Sequence, residues 1–482
     1  MNLDQPAASS MPKPARKDPR MPRLADSAEF NAYMSDGWTT PDRTPPVVAG
    51  APEAAAAHRA RLSAELPGQT IVLASGLAPT RANDTMYDFR PDSDFYWLTG
   101  CAAEEAVLVM TPAGSGHDAT LYLPEPFYPG HPGFYSNARF GELWVGSAPS
   151  PADWATALQL DTRGSSVLAE VLGGLKSPMV AGNPNQTVQS VLGAADSTQL
   201  RRTLSELRLV KDAWEIAQLR EAVDHTVSGF AATVREFSTA IAGAGERWLQ
   251  GTFDRHARTH GNGVGYTTIV GSGRNAATLH WVRCDGPVLA DHLVLLDMGV
   301  EVNSFYTADV TRTIPAAGTF SPLQRQVHDL VEKAHRAGMA AVAPGKQFSD
   351  FHTASMQVIA EGLKDWGLLK VSVDEALAPE GQQHRRYLVC GIGHHLGLDV
   401  HDCAKSHYDR YQGADLEPGM VLTVEPGLYF HEMDLTVPPE LRGIGVRLED
   451  DLLVTETGTD ILSDALPIDA TGIEAWFAEH TR

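Results

Sequence analysis

Three histidines, His394, His395 and His401, stand close together in the segment CGIGHHLGLDVHD. Imidazole can bind a metal, move a proton or donate a hydrogen bond to a substrate. We expect His394 to be a metal ligand, because Gly393 before it lets the backbone bend. In extended chain His395 points to the opposite face, so we expect it to pack or to form hydrogen bonds. His401, seven residues after His394, is expected to face the substrate.

Carboxylates follow or end apolar, strand-like runs at four other places. They are Asp297 in LVLLDMG, Asp309 in SFYTADVTRT, Glu425 in VLTVEPG and Glu449 in GVRLEDD. An unpaired carboxylate beside a buried strand is costly, and several of them together raise one another's pKa. Two divalent cations would balance these charges and leave a neutral imidazole to complete the coordination, which indicates a two-metal hydrolytic site. Oxygen ligands with one imidazole favour manganese, with zinc and cobalt as alternatives.

The spacing of these acids predicts how they meet. Asp297 and Asp309 are 12 residues apart, with EVNSF between them, which predicts a hairpin that brings both to one metal pair. Arg447 lies two residues before Glu449, so in a strand both side chains would point the same way. We therefore expect Arg447 to form a charge-assisted pair with Glu449.

The elements that must position these residues fall into three parts. Residues 1–50, rich in Pro, Ala and Ser, predict a flexible or loosely docked extension, with a short helix in AEFNAYMSDGW. Residues 51–205 predict an α/β domain, with a helix in AAAAHRARLSAEL and strands in TIVLASG, AVLVMTP and ATLYLPEP. Residues 206–482 predict an α+β domain with a mostly antiparallel sheet, opened by a helix that Asp212 and Glu215 cap.

Composition limits the partners and the compartment. The net charge is -22, and no basic patch follows the first two dozen residues, which argues against nucleic acid or an anionic membrane as a partner. The four cysteines form no CxxC pair and are expected to be reduced thiols. No apolar run reaches membrane-spanning length and no signal-peptide core begins the chain. We expect a cytoplasmic protein.

Several of these segments resemble one family. DMGVEVNSFYTADVTRT, GIGHHLGLDVHD, LEPGMVLTVEPGLY and RGIGVRLEDDLLVTETG are similar to the metal-site motifs of the pita-bread metallopeptidases, above all of the aminopeptidase P branch. GYTTIVGSGRNAATLHW and FRPDSDFYWLTG resemble the same branch. The resemblance implies a creatinase-like α/β domain followed by a pita-bread domain, with mostly antiparallel curved sheet and pseudo-twofold symmetry.

The resemblance also implies a role for each site residue. The metal ligands would be Asp297, Asp309, His394, Glu425 and Glu449, with Asp309 and Glu449 shared by both ions. Glu425 would also act as the general base. The catalytic and substrate-binding neighbours would be His280 near the leaving group, His401 at the scissile carbonyl, Arg447 in support, and Tyr429 and Arg410. The spacing from Asp297 to Asp309 is one residue longer than the family's common form, which we expect to lengthen the turn around Asn303 and Ser304.

The implied activity is removal of an N-terminal residue that precedes proline. An Xaa-Pro dipeptidase (prolidase) is the main alternative, because the same ligands serve both reactions, and FRPDSDFYWLTG favours the aminopeptidase. Another amidinohydrolase or an esterase on this fold is a further alternative. A non-catalytic binding module is disfavoured because every implied ligand is present. The family resemblance implies a homodimer or homotetramer.

Overall fold

The computed structural model describes residues 24–193 and 196–481. The N-terminal part contains nine α-helices and seven strands among the described residues. In chain order they are α1 (Ala28–Met34), α2 (Ala51–Glu65), β1 (Ile71–Ala74), β2 (Thr80–Ala82), β3 (Thr85–Met86), α3 (Ser93–Thr99), β4 (Val107–Ala113), β5 (Gly116–Leu123), α4 (Gly133–Ser136), α5 (Glu142–Val145), α6 (Pro151–Leu158), β6 (Asp161–Gly164), α7 (Leu168–Gly174), β7 (Met179–Gly182), α8 (Gln186–Leu192) and α9 (Thr198–Arg208).

Five of these strands form one mixed sheet in the order β6-β5-β4-β1-β7. Strand β1 runs antiparallel to β4 and parallel to β7, and helices cover the sheet, as an α/β domain requires. The predicted helix α2 and the predicted strands β1, β4 and β5 are confirmed. Their apolar residues form the core of this domain, with β1 buried along its whole length.

The described part of the N-terminal extension lies against this domain. Helix α1 is the short helix predicted in AEFNAYMSDGW. The Phe30 ring meets Tyr135 edge to face, with ring centroids 5.2 Å apart. Further along, the Arg43 guanidinium forms a two-pronged pair with Glu142, at 2.7 and 2.9 Å. Residues 24–50 are therefore docked through specific contacts, whereas residues 1–23 lie outside the described residues.

The connection between the two parts follows α9. This helix contacts α2, α3 and β7 and spans the position at which we predicted a boundary. The next helix, α10 (Ala213–Val234), begins with the predicted cap: Asp212 accepts from the Glu215 amide, and Glu215 accepts from the Asp212 amide. Residues 209–212 thus join the two parts.

The remaining elements form the C-terminal part. They are α11 (Phe237–Thr239), α12 (Gly245–His260), β8 (Gly263–Val264), β9 (Ile269–Ser272), β10 (Leu293–Met298), β11 (Val300–Glu301), β12 (Val310–Pro315), α13 (Pro322–Ala341), α14 (Phe348–Asp365), α15 (Val373–Leu377), β13 (Val421–Val424), β14 (Gly427–Phe430), β15 (Ile444–Arg447), β16 (Asp450–Thr455), β17 (Gly458–Ile461) and α16 (Ala470–His480).

These strands pair only antiparallel, in the sets β12-β10-β9, β13-β16-β17, β14-β15 and β11-β8. Helices α13 and α14 pack against each other beside the sheets. The α+β class and the antiparallel sheet predicted for residues 206–482 are confirmed. Within the described residues, none of the helices is both long enough and apolar enough to cross a membrane.

Candidate active site

The first two acidic residues come from one hairpin. Strands β10 and β12 are antiparallel and fully buried, with Asp297 opposite Thr311 and Met298 opposite Val310. Asp309 directly precedes β12, so the turn of the hairpin returns it to the neighbourhood of Asp297. This confirms the hairpin predicted from their spacing. Because this strand pair is fully buried, its carboxylates need a compensating charge.

The other two acidic residues sit at strand breaks. Glu425 lies between β13 and β14, and Glu449 lies between β15 and β16. Because β13 pairs with β16 and β14 pairs with β15, the two breaks lie side by side. The segment RLEDDLLVT is therefore interrupted as a strand at the carboxylate of Glu449. Both glutamates line a common cavity with Asp297 and Asp309.

His394 completes the set from the loop before β13. Its Nδ1 lies 3.1 Å from the His395 carbonyl, which can only accept, so Nδ1 carries a proton and Nε2 is the nitrogen that could bind a metal. Nε2 points to Asp309 at 3.3 Å and to Glu425 at 3.5 Å. Gly393 does not adopt a left-handed backbone conformation. A Cβ there would lie 2.2 Å from the Thr423 carbonyl oxygen, so close packing is what requires glycine.

His395 points into the core. It is fully buried, its ring stacks on Phe348 with centroids 5.1 Å apart, and Tyr411 meets it edge-on at 4.7 Å. The packing role predicted for His395 is confirmed. Its ring nitrogens have no hydrogen-bond partner among the described residues, and burial lowers its pKa to about 3. His395 is thus held as a neutral core residue.

A cavity of about 940 Å³ joins all five predicted ligands to most of the predicted neighbours. His280, His401, Tyr429 and Arg447 also line it. The His401 ring meets the His394 ring edge to face at 4.3 Å. Arg410 is exposed and is not among the described residues that line the cavity, so the structure does not bring it to the site.

The electrostatics of the cavity show crowded negative charge. Burial and the charge of Asp309 raise the pKa of Glu425 to about 7, despite the opposing effect of His394. Burial, followed by Asp309 and Glu425, raises the pKa of Glu449 well above its usual value. Burial opposes a charge on His394, but its bond to Asp309 and the charge of Glu425 outweigh burial and raise its pKa to about 9. Cations bound here would relieve this repulsion.

The donor atoms fit divalent cations. One ligand atom from each of Asp309, His394 and Glu449 lies within 4.8 Å of the others. The Oε1 atom of Glu449 is buried and has no hydrogen-bond partner among the described residues. Buried polar atoms in folded proteins nearly always have a partner, and a bound cation would be one for this oxygen. Carboxylate oxygens with one imidazole suit divalent ions of hard to intermediate character.

Arg447 supports this centre differently from our prediction. Its guanidinium pairs with Asp297, donates to Tyr429 at 2.8 Å through Nη1, and donates to Thr311 at 3.1 Å through Nε. Thr311 in turn donates to Glu449 at 2.7 Å. The predicted direct pair with Glu449 is wrong, because the strand break before Glu449 ends the alternation on which that prediction rested.

Sequence reasoning missed three supporting residues. Tyr266 donates to Asp297 at 2.6 Å, Thr311 donates to Glu449, and Asp451 accepts from the amide of Asp309 at 3.1 Å. Thr311 carried a usable signal, since it lies two residues after Asp309, at the start of β12. Tyr266 lies in GYTTIVGSGRNAATLHW, but this segment gave no indication of a contact with Asp297.

Fold and site together define a class: a two-domain protein whose antiparallel C-terminal part holds a carboxylate-rich centre for divalent cations. A model of metallopeptidase family M24 matches residues 217–456, and a model of the aminopeptidase P N-terminal domain matches residues 55–177. Xaa-Pro aminopeptidase 2 of Streptomyces coelicolor is 45% identical over 473 residues, which cover 96% of this chain and 98% of that protein. The chain belongs to metallopeptidase family M24.

Solved structures agree with this assignment. Aminopeptidase P from Escherichia coli with the inhibitor Pro-Leu matches with a TM-score of 0.79 and 29% identity, covering 89% of this chain and 98% of that one. Proline aminopeptidase P II from Yersinia pestis matches with a TM-score of 0.77 and 30% identity, covering 89% and 99%. The pita-bread architecture and the creatinase-like first domain that the resemblance implied are confirmed.

Proposed function

We propose that this protein hydrolyses the peptide bond between an N-terminal residue and a following proline. The observation that carries the proposal is one cavity in which the acidic residues and His394 face His280 and His401. Relatives that share nearly the whole chain are named Xaa-Pro aminopeptidases, in Streptomyces coelicolor and in Escherichia coli, the latter at 32% identity. These names favour the aminopeptidase over the dipeptidase alternative.

The ligands of two divalent cations would be the five residues that the resemblance implied. They are Asp297, Asp309, His394, Glu425 and Glu449. When bound, such ions activate a water molecule and polarise the scissile carbonyl. The prevalence of carboxylate oxygen in this set favours manganese, with zinc and cobalt as alternatives.

The chain's own groups then divide the remaining work. Glu425, partly buried at the cavity wall, takes a proton from the attacking water as general base. His401 donates a hydrogen bond to the substrate carbonyl, and His280 faces the leaving group. Asp297 would hold the free amino terminus of the peptide, and Arg447 would keep the Asp297 carboxylate oriented through their ion pair.

We further propose a cytoplasmic, homodimeric or homotetrameric enzyme whose partners are peptides with proline second. The cysteines support a reducing compartment, since all four are free and three of them are buried. The proposed domains are residues 51–205 and 206–482, preceded by the extension of residues 1–50.

Replacing each of the three loop histidines by alanine tests these roles. We expect His394→Ala to lower metal content and activity together. His401→Ala should keep the metal while turnover falls about a hundredfold or more, because a hydrogen bond to the developing charge is lost. His395→Ala should remain active with reduced stability. Loss of metal from His395→Ala with metal retained in His394→Ala would place our ligand assignment one residue out of register.

A further inference from the structure

The His401 side chain does little to fix its own position in the loop of residues 396–402. Among the residues that the structure describes, the His401 imidazole forms no hydrogen bond, and its one ring contact is with His394. Its position must therefore come from the backbone of residues 396–402. A catalytic group has to be held within a fraction of an ångström of its productive position, so some other part of the molecule must fix this backbone.

Asp402, the next residue, is fully buried and bonded on both carboxylate oxygens. Arg208 pairs with one oxygen, and the Lys211 ammonium donates to the other at 3.1 Å. Its amide donates to the His395 carbonyl at 2.9 Å. Arg208 and Lys211 are each only 4% exposed. Two buried cations thus converge on the residue that follows His401.

The same arginine spreads this hold over a second part of the loop. Arg208 Nη2 also reaches Asp399 at 3.1 Å, while its Nη1 donates to Asp94 at 2.7 Å. Asp94 belongs to α3 in the N-terminal part, and Arg208 is the last residue of α9. Ser93 donates to the other oxygen of Asp399 at 2.6 Å. The loop is therefore tied to the N-terminal domain through fixed ionic contacts.

A third contact holds the loop backbone itself. Arg90 donates to the Leu398 carbonyl and, through Nε, to Glu301 at 2.7 Å. Arg90 and Asp94 both lie in FRPDSDFYWLTG, and the family resemblance of this segment implied no role for either charge. The structure shows contacts for both: Arg90 bonds the loop at Leu398, and Asp94 bonds Arg208, which holds the loop.

We propose that Arg208 and Lys211 are positioning residues for His401. Through these two side chains, the N-terminal domain and the connection at residues 209–212 set the geometry of the loop of residues 396–402. The proposal deepens the proposed function and rests on it for the role of His401. Removing one partner from a buried ionic network leaves an uncompensated charge, so the loop cannot shift without a large cost. Arginine is suited to this place, since its planar fork bonds Asp94, Asp399 and Asp402 in fixed directions, a geometry that the compact ammonium of lysine does not reproduce.

A double-mutant cycle tests the proposal. Arg208→Lys keeps the charge but loses the fork, and we expect kcat to fall about tenfold or more with KM nearly unchanged, because small displacements of a catalytic group slow the reaction steeply. In the His401→Ala background the same change should alter kcat less than about twofold, since the group that Arg208 positions is gone. Metal content should stay at the level of the parent protein.

Controls separate positioning from general stability. Arg220→Lys makes the same exchange in an exposed ion pair that joins α10 to Asp460 in β17, and should leave kcat unchanged in both backgrounds. If Arg208→Lys fails to fold, Asp399→Asn takes its place in the cycle, because this half-exposed carboxylate bonds both Arg208 and Ser93. Equal losses of kcat in the two backgrounds would overturn the proposal.

A readout without turnover separates this proposal from the proposed function. Amide hydrogen exchange of residues 396–402 should be about tenfold faster or more in the Arg208→Lys variant, while exchange in α13 stays the same. Unchanged exchange in the loop would refute the anchoring, whatever the substrate. Failure of the parent protein to cleave proline peptides would instead refute the proposed function and leave the exchange result standing.

Discussion

Thr311 connects two charged groups that we had expected to touch. Its hydroxyl accepts from the Arg447 guanidinium and donates to Glu449, so the oxygen of one threonine orients a carboxylate of the proposed metal centre. Groups that hydrogen bond a metal ligand fix its orientation, and their loss commonly weakens metal binding. The hydroxyl is fully buried, which leaves water no ready way to replace it.

We predict that Thr311→Val weakens binding of Mn²⁺ about 10- to 100-fold. Valine matches the shape of threonine but cannot donate to Glu449. Titration calorimetry of the metal-stripped protein measures the effect. Thr233→Val is the matched control, because Thr233 is equally buried in α10 and donates only to the Gly229 carbonyl. Equal affinities in the parent protein and in Thr311→Val would show that this hydroxyl does not orient a ligand.

At the residue scale, the sequence identified the ligands but not their supports. The carboxylates were predictable because each interrupts or ends an apolar strand, where an unpaired charge is costly. Thr311 could have been found from its position two residues after Asp309, at the start of β12. Tyr266 could not, because its bond to Asp297 joins residues 31 apart whose approach depends on the folded sheet.

Among the elements, the loop before β13 depends on close packing at Gly393. A Cβ at this position would meet the Thr423 carbonyl at 2.2 Å and the Phe351 ring at 2.8 Å. Thr423 also accepts the amide of His394 on its side-chain oxygen. Any displacement of the loop from β13 would therefore move His394 away from the acidic residues.

We predict that Gly393→Ala lowers metal affinity about tenfold or more and also lowers the melting temperature, since the added methyl has no space. Gly391→Ala is the matched control two residues earlier, where nothing lies within 4 Å of the added atom. Metal titration and thermal unfolding of both variants measure the difference. If the two variants bound metal equally well, loop packing would not be what places His394.

At the scale of elements, continuity of strands was the hardest feature to predict. The run around Glu449 has the composition of an unbroken strand, and composition alone does not locate its break. Pro426 and Gly427, in contrast, mark the break at Glu425 in the sequence. Because the breaks lie side by side through the pairing of β13 with β16 and β14 with β15, they arise from the tertiary arrangement. We wrongly paired Arg447 with Glu449 because we did not predict the strand break between them.

Across the whole molecule, a buried histidine joins the two domains. His58 on α2 stacks on Trp97 with ring centroids 4.1 Å apart. Its Nδ1 donates to the Trp97 carbonyl at 2.8 Å and its Nε2 to Asp212 at 3.0 Å. Both partners accept, so the ring carries both protons and is cationic. Burial opposes this charge, but the bonds to Asp212 and Glu215 outweigh burial and raise the pKa of His58 to about 9.

This charge makes stability depend on pH in a defined direction. Because the folded pKa lies above the unfolded value of about 6.5, the contribution is complete below that pH and is lost as pH rises through about 9. We predict that the difference in unfolding free energy between the parent protein and His58→Phe, on the order of 3 kcal/mol at pH 6, shrinks steadily towards pH 9.5. Urea unfolding at several pH values measures it. A difference independent of pH would mean that His58 is neutral.

The domain organisation was predictable in outline from the sequence, and the contacts between the domains were not. The cap of α10 was visible as Asp212 followed by Glu215, yet its second use as the partner of His58 joins residues 154 apart. Such pairs depend on how the two domains dock, which the sequence of each domain does not show. The ionic contacts of the loop around His401 depend on the same docking.

The central claim is that this cavity removes an N-terminal residue from peptides with proline second. The most direct measurement is the rate of release of the first residue by the manganese-loaded protein from three substrates: a tripeptide with proline second, the same tripeptide with alanine second, and the Xaa-Pro dipeptide. We predict rapid cleavage of the proline tripeptide, at least about a hundredfold slower cleavage of the alanine tripeptide, and loss of activity on chelation that added metal restores. Comparable rates on the two tripeptides, or full turnover by the metal-stripped protein, would contradict the account, and cleavage confined to the dipeptide would identify a prolidase instead.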